Sequence, residues 1–223
     1  MHQNSKTAVL VFSESVDQQA RSKIVQTDAH TNYRLLQRFT KRSLQAAKNT
    51  GFDVVQFDES LQKGNSFAKR ITYATQEVFA RGYDRVIVIG GDCPDLKEQD
   101  ILNISIQLQS AEMVLGPDLR GGVYAIGLNR DYFNSQSFKG LMWQTSSLRK
   151  SFVQYAKRLS GSIYWLKSKA DFNAKDDITE YWNVSASLRS IIAQLKESLF
   201  YIINPPQSSP IRILVSDFDR RGP

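Results

Sequence analysis

The sequence predicts an α/β fold of three layers, α/β/α, with a mostly parallel central sheet. Three observations carry that expectation. Short, nearly continuous apolar runs stand at Thr7–Phe12, at residues 52–57 and at Arg85–Ile89, the pattern of strands buried on both faces. Stretches of helical spacing separate them, so strand and helix alternate from Thr7 to Ile89; such alternation implies right-handed crossovers and a parallel sheet. Finally, the chain has 223 residues, 41% hydrophobic and 23% charged, an ordinary composition for a soluble domain. At that length roughly 70% of the unfolded chain's surface can be buried, so no disulfide or metal staple is required.

Taken in order, the first helix expected covers residues 30–49, which contain neither Gly nor Pro and end at Thr50-Gly51, a C-terminal stop. Phe67, Ile71, Ala74, Val78 and Phe79 then recur at helical spacing, and Gly82 closes that segment. Short strands over 113–115 and 123–128 flank Gly116-Pro117-Asp118-Leu119-Arg120-Gly121-Gly122. This turn-rich stretch suits a hairpin or a loop beside a ligand and interrupts the βα rhythm. A helix over 146–158 and a strand over 162–166 follow. Asp177-Ile-Thr-Glu180 reads as an acidic capping box. Behind it Tyr181, Val184, Leu188, Ile191, Leu195 and Leu199 keep a helical stripe, read as core packing. From Ile203 the chain turns rich in Pro and Ser, so residues 204–210 form a linker or irregular tail, and 211–215 read as an edge strand. Residues 1–203 are thus expected as one domain and 204–223 as a C-terminal tail or edge extension, with no internal repeat.

The net charge of +7 is dispersed over the chain, with no run of five or more basic residues. No nucleic-acid module signature is present, which argues against nucleic acid as the partner. Solvated helix faces with some attraction for anions, such as a phosphorylated small molecule, are the simpler reading. The single cysteine, Cys93, can form no internal bridge and points to a reducing compartment. There is no signal-peptide pattern and no apolar run near the roughly 20 residues that a membrane span needs. The expected location is cytoplasmic; the oligomeric state is left open.

Chemistry concentrates at Gly90-Gly91-Asp92-Cys93-Pro94-Asp95, directly after an apolar strand. Ligands in open parallel sheets sit beyond the carboxyl ends of strands, and glycines there let the backbone approach closely. Asp92 is placed to hold a hard divalent cation, which can bridge a diphosphate and neutralise charge on a leaving group. Equally, Asp92 could cap a helix starting near Lys97 or occupy a turn. Cys93 lacks the cationic neighbour and histidine base a nucleophile wants and reads as a packed, inert thiol. With only His2 and His30 in the chain, Ser-His-Asp chemistry and a His/Cys zinc site are disfavoured. A second acidic stretch, Asp171-Phe-Asn173-Ala-Lys-Asp176-Asp177, follows the last internal strand. One of Asp176 and Asp177 is expected to cap the next helix, leaving Asp171 and Asn173 available as metal ligands. No Walker A sequence or Gly-x-Gly-x-x-Gly turn is present.

In that order stand Gln62-x-Gly64, Lys69-Arg70, Ile-Gly-Gly-Asp92-Cys-Pro-Asp-Leu, Leu-Gly-Pro, Gly121-Gly-Val-Tyr-Ala-Ile-Gly-Leu128 and Trp143-Gln-Thr145. Together they resemble a bacterial family of GT-A-type glycosyltransferase-like proteins, a domain family of unassigned function whose members are often described as arsenosugar-biosynthesis-type glycosyltransferases. The resemblance runs from about Thr7 to Trp182. It implies a nucleotide-diphospho-sugar transferase fold, with a nucleotide over the first half of the sheet and magnesium or manganese as cofactor. Asp92 is the implied catalytic residue and metal ligand, joined by Asp171 and Asn173; Arg21, Lys23, Gln62, Gly64, Arg70 and Gly91 are the implied nucleotide contacts. Trp143 and Thr145 either border an acceptor pocket or, for Trp143, pack in the core.

Three departures from the family pattern stand out. Asn173 replaces a second aspartate, which keeps an oxygen donor but removes a charge. The family's glycine-and-base loop after the first strand is replaced by Ser13-Glu-Ser-Val-Asp-Gln-Gln-Ala-Arg21-Ser-Lys23-Ile, which keeps basic residues but no glycine, so a close backbone cradle for phosphate is missing. Arg120 stands where the family carries an aspartate. The reading favoured is a metal-dependent glycosyl- or nucleotidyltransferase using a nucleotide sugar or nucleoside triphosphate and an unidentified small-molecule acceptor. The alternative is a catalytically degenerate nucleotide-sugar-binding or scaffold protein of the same fold.

Overall fold

The computed structural model describes residues 5–203. Its centre is a six-stranded sheet in the order β2-β1-β3-β5-β4-β6, formed by β1 (Thr7–Phe12), β2 (Asp53–Phe57), β3 (Arg85–Ile89), β4 (Met113–Pro117), β5 (Val123–Asn129) and β6 (Ile163–Trp165). All pairings are parallel except those of β5, which runs against β3 and β4. The turn-rich stretch after β4 is therefore a hairpin connection. β1 and β3 lie inside the sheet with helices on both faces, which is why nearly every residue in them is apolar and buried. The run at 52–57 departs from the expectation of burial on both faces. β2 is the sheet's edge, and only Phe57 in it is buried.

Helices α1 (Val16–Ser22), α2 (Ala29–Asn49), α3 (Phe67–Ala80), α4 (Glu98–Gln107), α5 (Ser135–Lys139), α6 (Leu148–Arg158), α7 (Lys175–Glu180) and α8 (Ala186–Ile203) complete the order. Alternate strand residues divide between two cores. Leu10, Phe12, Val88, Leu115 and Ile126 meet Ile71 and Val78 of α3, Phe138 of α5 and Phe152 of α6. Val9, Val11, Ile87, Ile89 and Val114 meet Ala46 and Ala47 of α2 and Ile101 and Ile104 of α4. This is the three-layer arrangement expected. A third cluster lies outside α2, where Leu35, Leu36 and Phe39 pack against Phe172, Tyr181, Leu188 and Ile191.

Two helix stops follow the sequence signals: Gly51 after α2 has φ +76° and Gly82 after α3 has φ +93°. The C-terminal region differs. Asp177 does not begin a helix but sits three residues past the N-cap position of α7, where its carboxylate accepts hydrogen bonds from the Asn173 and Ala174 amides at 2.6 and 2.8 Å. The stripe from Tyr181 to Leu195 is likewise no single helix. It breaks between α7 and α8, and buried Ser185 takes the Leu188 amide on its hydroxyl at 3.1 Å. Among the described residues no helix is long and apolar enough to cross a membrane. The tail at 204–223, with the strand expected over 211–215, lies outside the described residues.

Candidate functional site

From β1 the chain crosses to β2 on one side, then returns past β1 to β3 on the other, so the strand order reverses between β1 and β3. At such a point the loops leaving the two strands diverge and open a crevice. A cleft of about 670 Å³ lies there, lined by the loop after β1, the Gly90–Asp92 turn after β3, the β4–β5 hairpin, residues 143–146 and Asp171 with Asn173.

The floor is built by the turn after β3. A Cβ on Gly90 would lie 2.6 Å from Asp92 Oδ1, and one on Gly91 would crowd Ser13 and Thr40 at 3.1 to 3.2 Å. Gly90 thus leaves room for the Asp92 carboxylate, and Gly91 lets the loop after β1 and helix α2 close on the turn. Asp92 caps no helix: the amide of Lys97, at the start of α4, is taken by Asp100 at 2.8 Å. Asp95 has a structural task, accepting the Ser187 amide of α8 at 3.1 Å. Arg42 ties the same turn to α8 by donating to the Pro94 carbonyl and the Ser187 hydroxyl.

The Asp171 loop is fastened to this floor. The Phe172 amide donates to the Asp92 carbonyl at 3.0 Å, and the fully buried Phe172 ring packs between Phe39 and Tyr181 at centroid distances of 5.3 and 5.7 Å. Anchoring Phe172 inward places Asp171 and Asn173 on the cleft, where Asn173 Nδ2 donates to Asp171 Oδ2 at 3.1 Å. The Asp171 and Asp92 side chains line the same cleft, close enough for the charge on one to act on the other. Burial and then the Asp92 charge push Asp171 well above the usual carboxylate range. Burial is the largest influence on Asp92 and works to raise it, but the Lys23 ammonium and the hydrogen bonds to the carboxylate together hold Asp92 below its ordinary range.

Lys23 Nζ donates to Asp92 Oδ2 in a partly buried ion pair. Lys23 caps the C-terminal end of α1, and buried Asn32 pins its segment. The Asn32 side chain donates to the Lys23 carbonyl at 3.0 Å and accepts the Val25 and Gln26 amides at 2.9 and 3.0 Å. The loop after β1 is thus largely helix, with Glu59 closing its start by accepting the Ser15 amide and hydroxyl.

The other expected contacts fall as follows. Arg70 lines the cleft, and its buried Nε has no hydrogen-bond partner. Gln62 lines it too, donating to the Phe57 carbonyl at 3.0 Å. Gly64 lies outside the lining; its φ of +126° and the 2.5 Å that would separate a Cβ from Lys69 Cβ make it a packing glycine at the start of α3. Arg21 is exposed on α1 and also lies outside the lining. Trp143 is both core and wall: its Nε1 donates to the Phe138 carbonyl at 2.9 Å, and its ring packs on Phe67, Phe138 and Phe152 at the cleft's edge. Thr145 is exposed at the rim. Arg120 points its charge at α7, pairing with buried Asp177 and with Glu180. Cys93 is 1% exposed and its thiol is pushed well up by burial, as a packed thiol requires.

Among the described residues no three His, Cys, Asp or Glu side chains converge on one point. A hard cation here would rest on Asp92, Asp171 and the amide oxygen of Asn173. This donor set fits magnesium or manganese in kind, and Asp171 Oδ1, buried without a partner, is an oxygen such an ion would satisfy.

The architecture has known counterparts. A crystal structure from Desulfovibrio desulfuricans G20, provisionally described as a nucleotide-diphospho-sugar transferase, matches with a TM-score of 0.73 at 24% identity, over 89% of this chain and 97% of its own. The 4-diphosphocytidyl-2C-methyl-D-erythritol synthase of Anaerococcus prevotii DSM 20548 matches with a TM-score of 0.51 at 7% identity, over 87% of this chain and 100% of its own. At these identities the likeness concerns the fold, which is that of nucleotide-diphospho-sugar transferases. No curated protein matches the chain. The family model for an uncharacterized protein conserved in bacteria, DUF2064, matches residues 25–145, which take in the Gly90–Asp92 turn, Arg70 and Trp143. That span exceeds half of the sequence, and the chain therefore belongs to the DUF2064 family.

Proposed function

We infer that the protein is a metal-dependent transferase acting on a nucleotide-activated donor, a nucleotide sugar or a nucleoside triphosphate, with glycosyl or nucleotidyl transfer as its reaction. The observation that carries this reading is that Asp92, Asp171 and Asn173 line one cleft at the strand-order reversal, with one Asp171 oxygen buried and unsatisfied. Two acidic side chains facing one cleft favour a proton or a cation there, and at a strand-order reversal a cation would also meet a ligand's phosphates.

In this reading Asp92, Asp171 and Asn173 hold magnesium or manganese, which neutralises charge on the donor's diphosphate and leaving group when bound. Arg70, which lines the cleft, offers the phosphates a cation. Gln62 and Gly91 flank the same side. The apolar wall of Phe67, Val123 and Trp143 shelters the reacting atoms from water, and the rim around Thr145 receives the acceptor. Arg21, outside the lining, contributes at most a long-range attraction for anions. Residues 1–203 act as the transferase unit, in the cytoplasm. The finer likeness to arsenosugar-type glycosyltransferases rests on the sequence motifs alone and bears on the acceptor.

A thermal-shift screen with manganese, nucleotide sugars and nucleoside triphosphates tests the reading. At least one nucleotide should raise the melting temperature in the presence of manganese, and Asp92→Asn should abolish that rise. Absence of any nucleotide response, or an unchanged response in Asp92→Asn, refutes it.

A further inference from the structure

We propose that Lys23 is a built-in cation for the carboxylate pair, and that its ammonium and a divalent metal ion compete for the same oxygen of Asp92. The proposal rests on the metal part of the functional reading and not on the identity of the donor. Lys23 Nζ is bonded to Asp92 Oδ2, while Asp171, lining the same cleft, keeps Oδ1 buried and unpartnered. One ammonium thus compensates Asp92, while Asp171 offers a further oxygen to a cation. A divalent ion on Asp92 would sit against Nζ, and two cations on one carboxylate oxygen repel each other at close range. The ion can therefore enter only as Nζ leaves.

Lys23 is built to leave without unfolding its surroundings. Its backbone is fixed by α1 through the bond from its own amide to the Gln19 carbonyl at 2.7 Å, and by the Asn32 bond to its carbonyl at 3.0 Å. Only the four-carbon stem has to swing. Glu14, which takes the Ser22 hydroxyl at 3.3 Å and lines the same cleft, is an alternative partner inside the cleft, and so is any phosphate brought there. Metal entry would then release a second cation beside Arg70 toward an anionic ligand. The two events are coupled, and coupling between binding sites is reciprocal.

The test uses the full chain without nucleotide and titrates manganese chloride by calorimetry, with Lys23→Met and Lys23→Gln compared with wild type. Gln keeps a hydrogen-bond donor without the charge, so it serves if Met does not fold. Removing the ammonium should tighten manganese binding by about tenfold, an ordinary size for coupling between sites. The neutral variants should also melt lower than wild type in EDTA and recover when manganese is added. Manganese binding by the neutral variants that is no tighter than wild type, or no binding by any of the three, overturns the proposal. The functional reading fails by a different result, namely a wild type that responds to no nucleotide while these manganese affinities still differ.

Discussion

Replacing Arg120 with alanine tests whether charge holds the loop that presents Asp171 and Asn173. The Arg120 guanidinium pairs with Asp177, whose side chain is 0% exposed, and at 2.8 Å with Glu180, whose side chain is 54% exposed. It also lies 5.4 Å over the Tyr181 ring. The Glu180 pair is screened by water and contributes little. Asp177 decides the outcome. Removing one partner of a fully buried ion pair costs about 3–5 kcal/mol. Here the arginine head is 44% exposed, so water replaces part of it, and the two amide bonds to Asp177 at 2.6 and 2.8 Å survive. The expected loss is therefore about 2 kcal/mol, discounted from the fully buried case. In a chain of this size that lowers the melting temperature by about 4–8 °C. Urea unfolding of wild type, Arg120→Ala, Asp177→Asn and the double variant measures it, and the cycle should return a coupling of about 1–2 kcal/mol. A loss below about 0.5 kcal/mol, or single effects that simply add, would show that the loop is held by Phe172 and backbone bonds alone.

Gly121 should not tolerate alanine. Its φ is +99°, and a Cβ would lie 2.5 Å from the Ser146 carbonyl oxygen, so a loss of about 2–4 kcal/mol is expected in the same urea assay; a loss under about 1 kcal/mol would contradict the close approach of the two loops. Asp171→Asn should raise the melting temperature of the metal-free protein by a few degrees at neutral pH, because an amide needs no proton taken up to be buried beside Asp92. Burial and Asp92 push Asp171 above its ordinary range, so the folded state keeps a proton the unfolded chain has released. Wild-type stability then falls as pH rises through that window, and the slope should be smaller in Asp171→Asn. Cys93, 1% exposed, should resist a thiol-reactive disulfide reagent in the native protein and react fully in denaturant; rapid native labelling would place the thiol at the surface.

The first half of the fold was legible because its elements carry local signals: apolar runs for β1 and β3, and glycines at 51 and 82 where the chain must leave α2 and α3 with positive φ. Where tertiary pairing decided, the sequence misled. Residues 52–57 are apolar enough for a central strand, yet β2 ends up at the sheet's edge, and edge position is a property of topology, not composition. The C-terminal stripe was misleading for a related reason. Tyr181, Leu188, Ile191 and Leu195 do share one apolar cluster, but Tyr181 reaches it from the end of α7 and the others from α8. The signal for the break was Ser185, a good N-cap hidden among residues whose spacing continues through it. Helix α1 went unseen because a resemblance to a phosphate loop led to reading the segment for its charges. Ser15 capping the Gln18 amide at 3.3 Å was there to find.

The site was legible one residue at a time and not as an assembly. A strand end with two glycines marks Asp92, and the loop before α7 marks Asp171 and Asn173, all without structure. Their meeting on one cleft depends on Phe172, whose burial against Phe39 and Tyr181 sets Asp171 and Asn173 on the cleft lining; no spacing rule links that phenylalanine to a carboxylate. The Lys23 to Asp92 pair spans 69 positions and is set by Asn32, a buried amide whose three backbone partners leave no trace in a charge pattern. The family resemblance implies Lys23 as a nucleotide contact. Its partner in the structure is Asp92, the carboxylate expected to hold the metal. The two roles conflict only if both cations are present at once. A lysine that guards Asp92 until a divalent ion arrives, then turns to an anion, satisfies both without any further movement of the backbone.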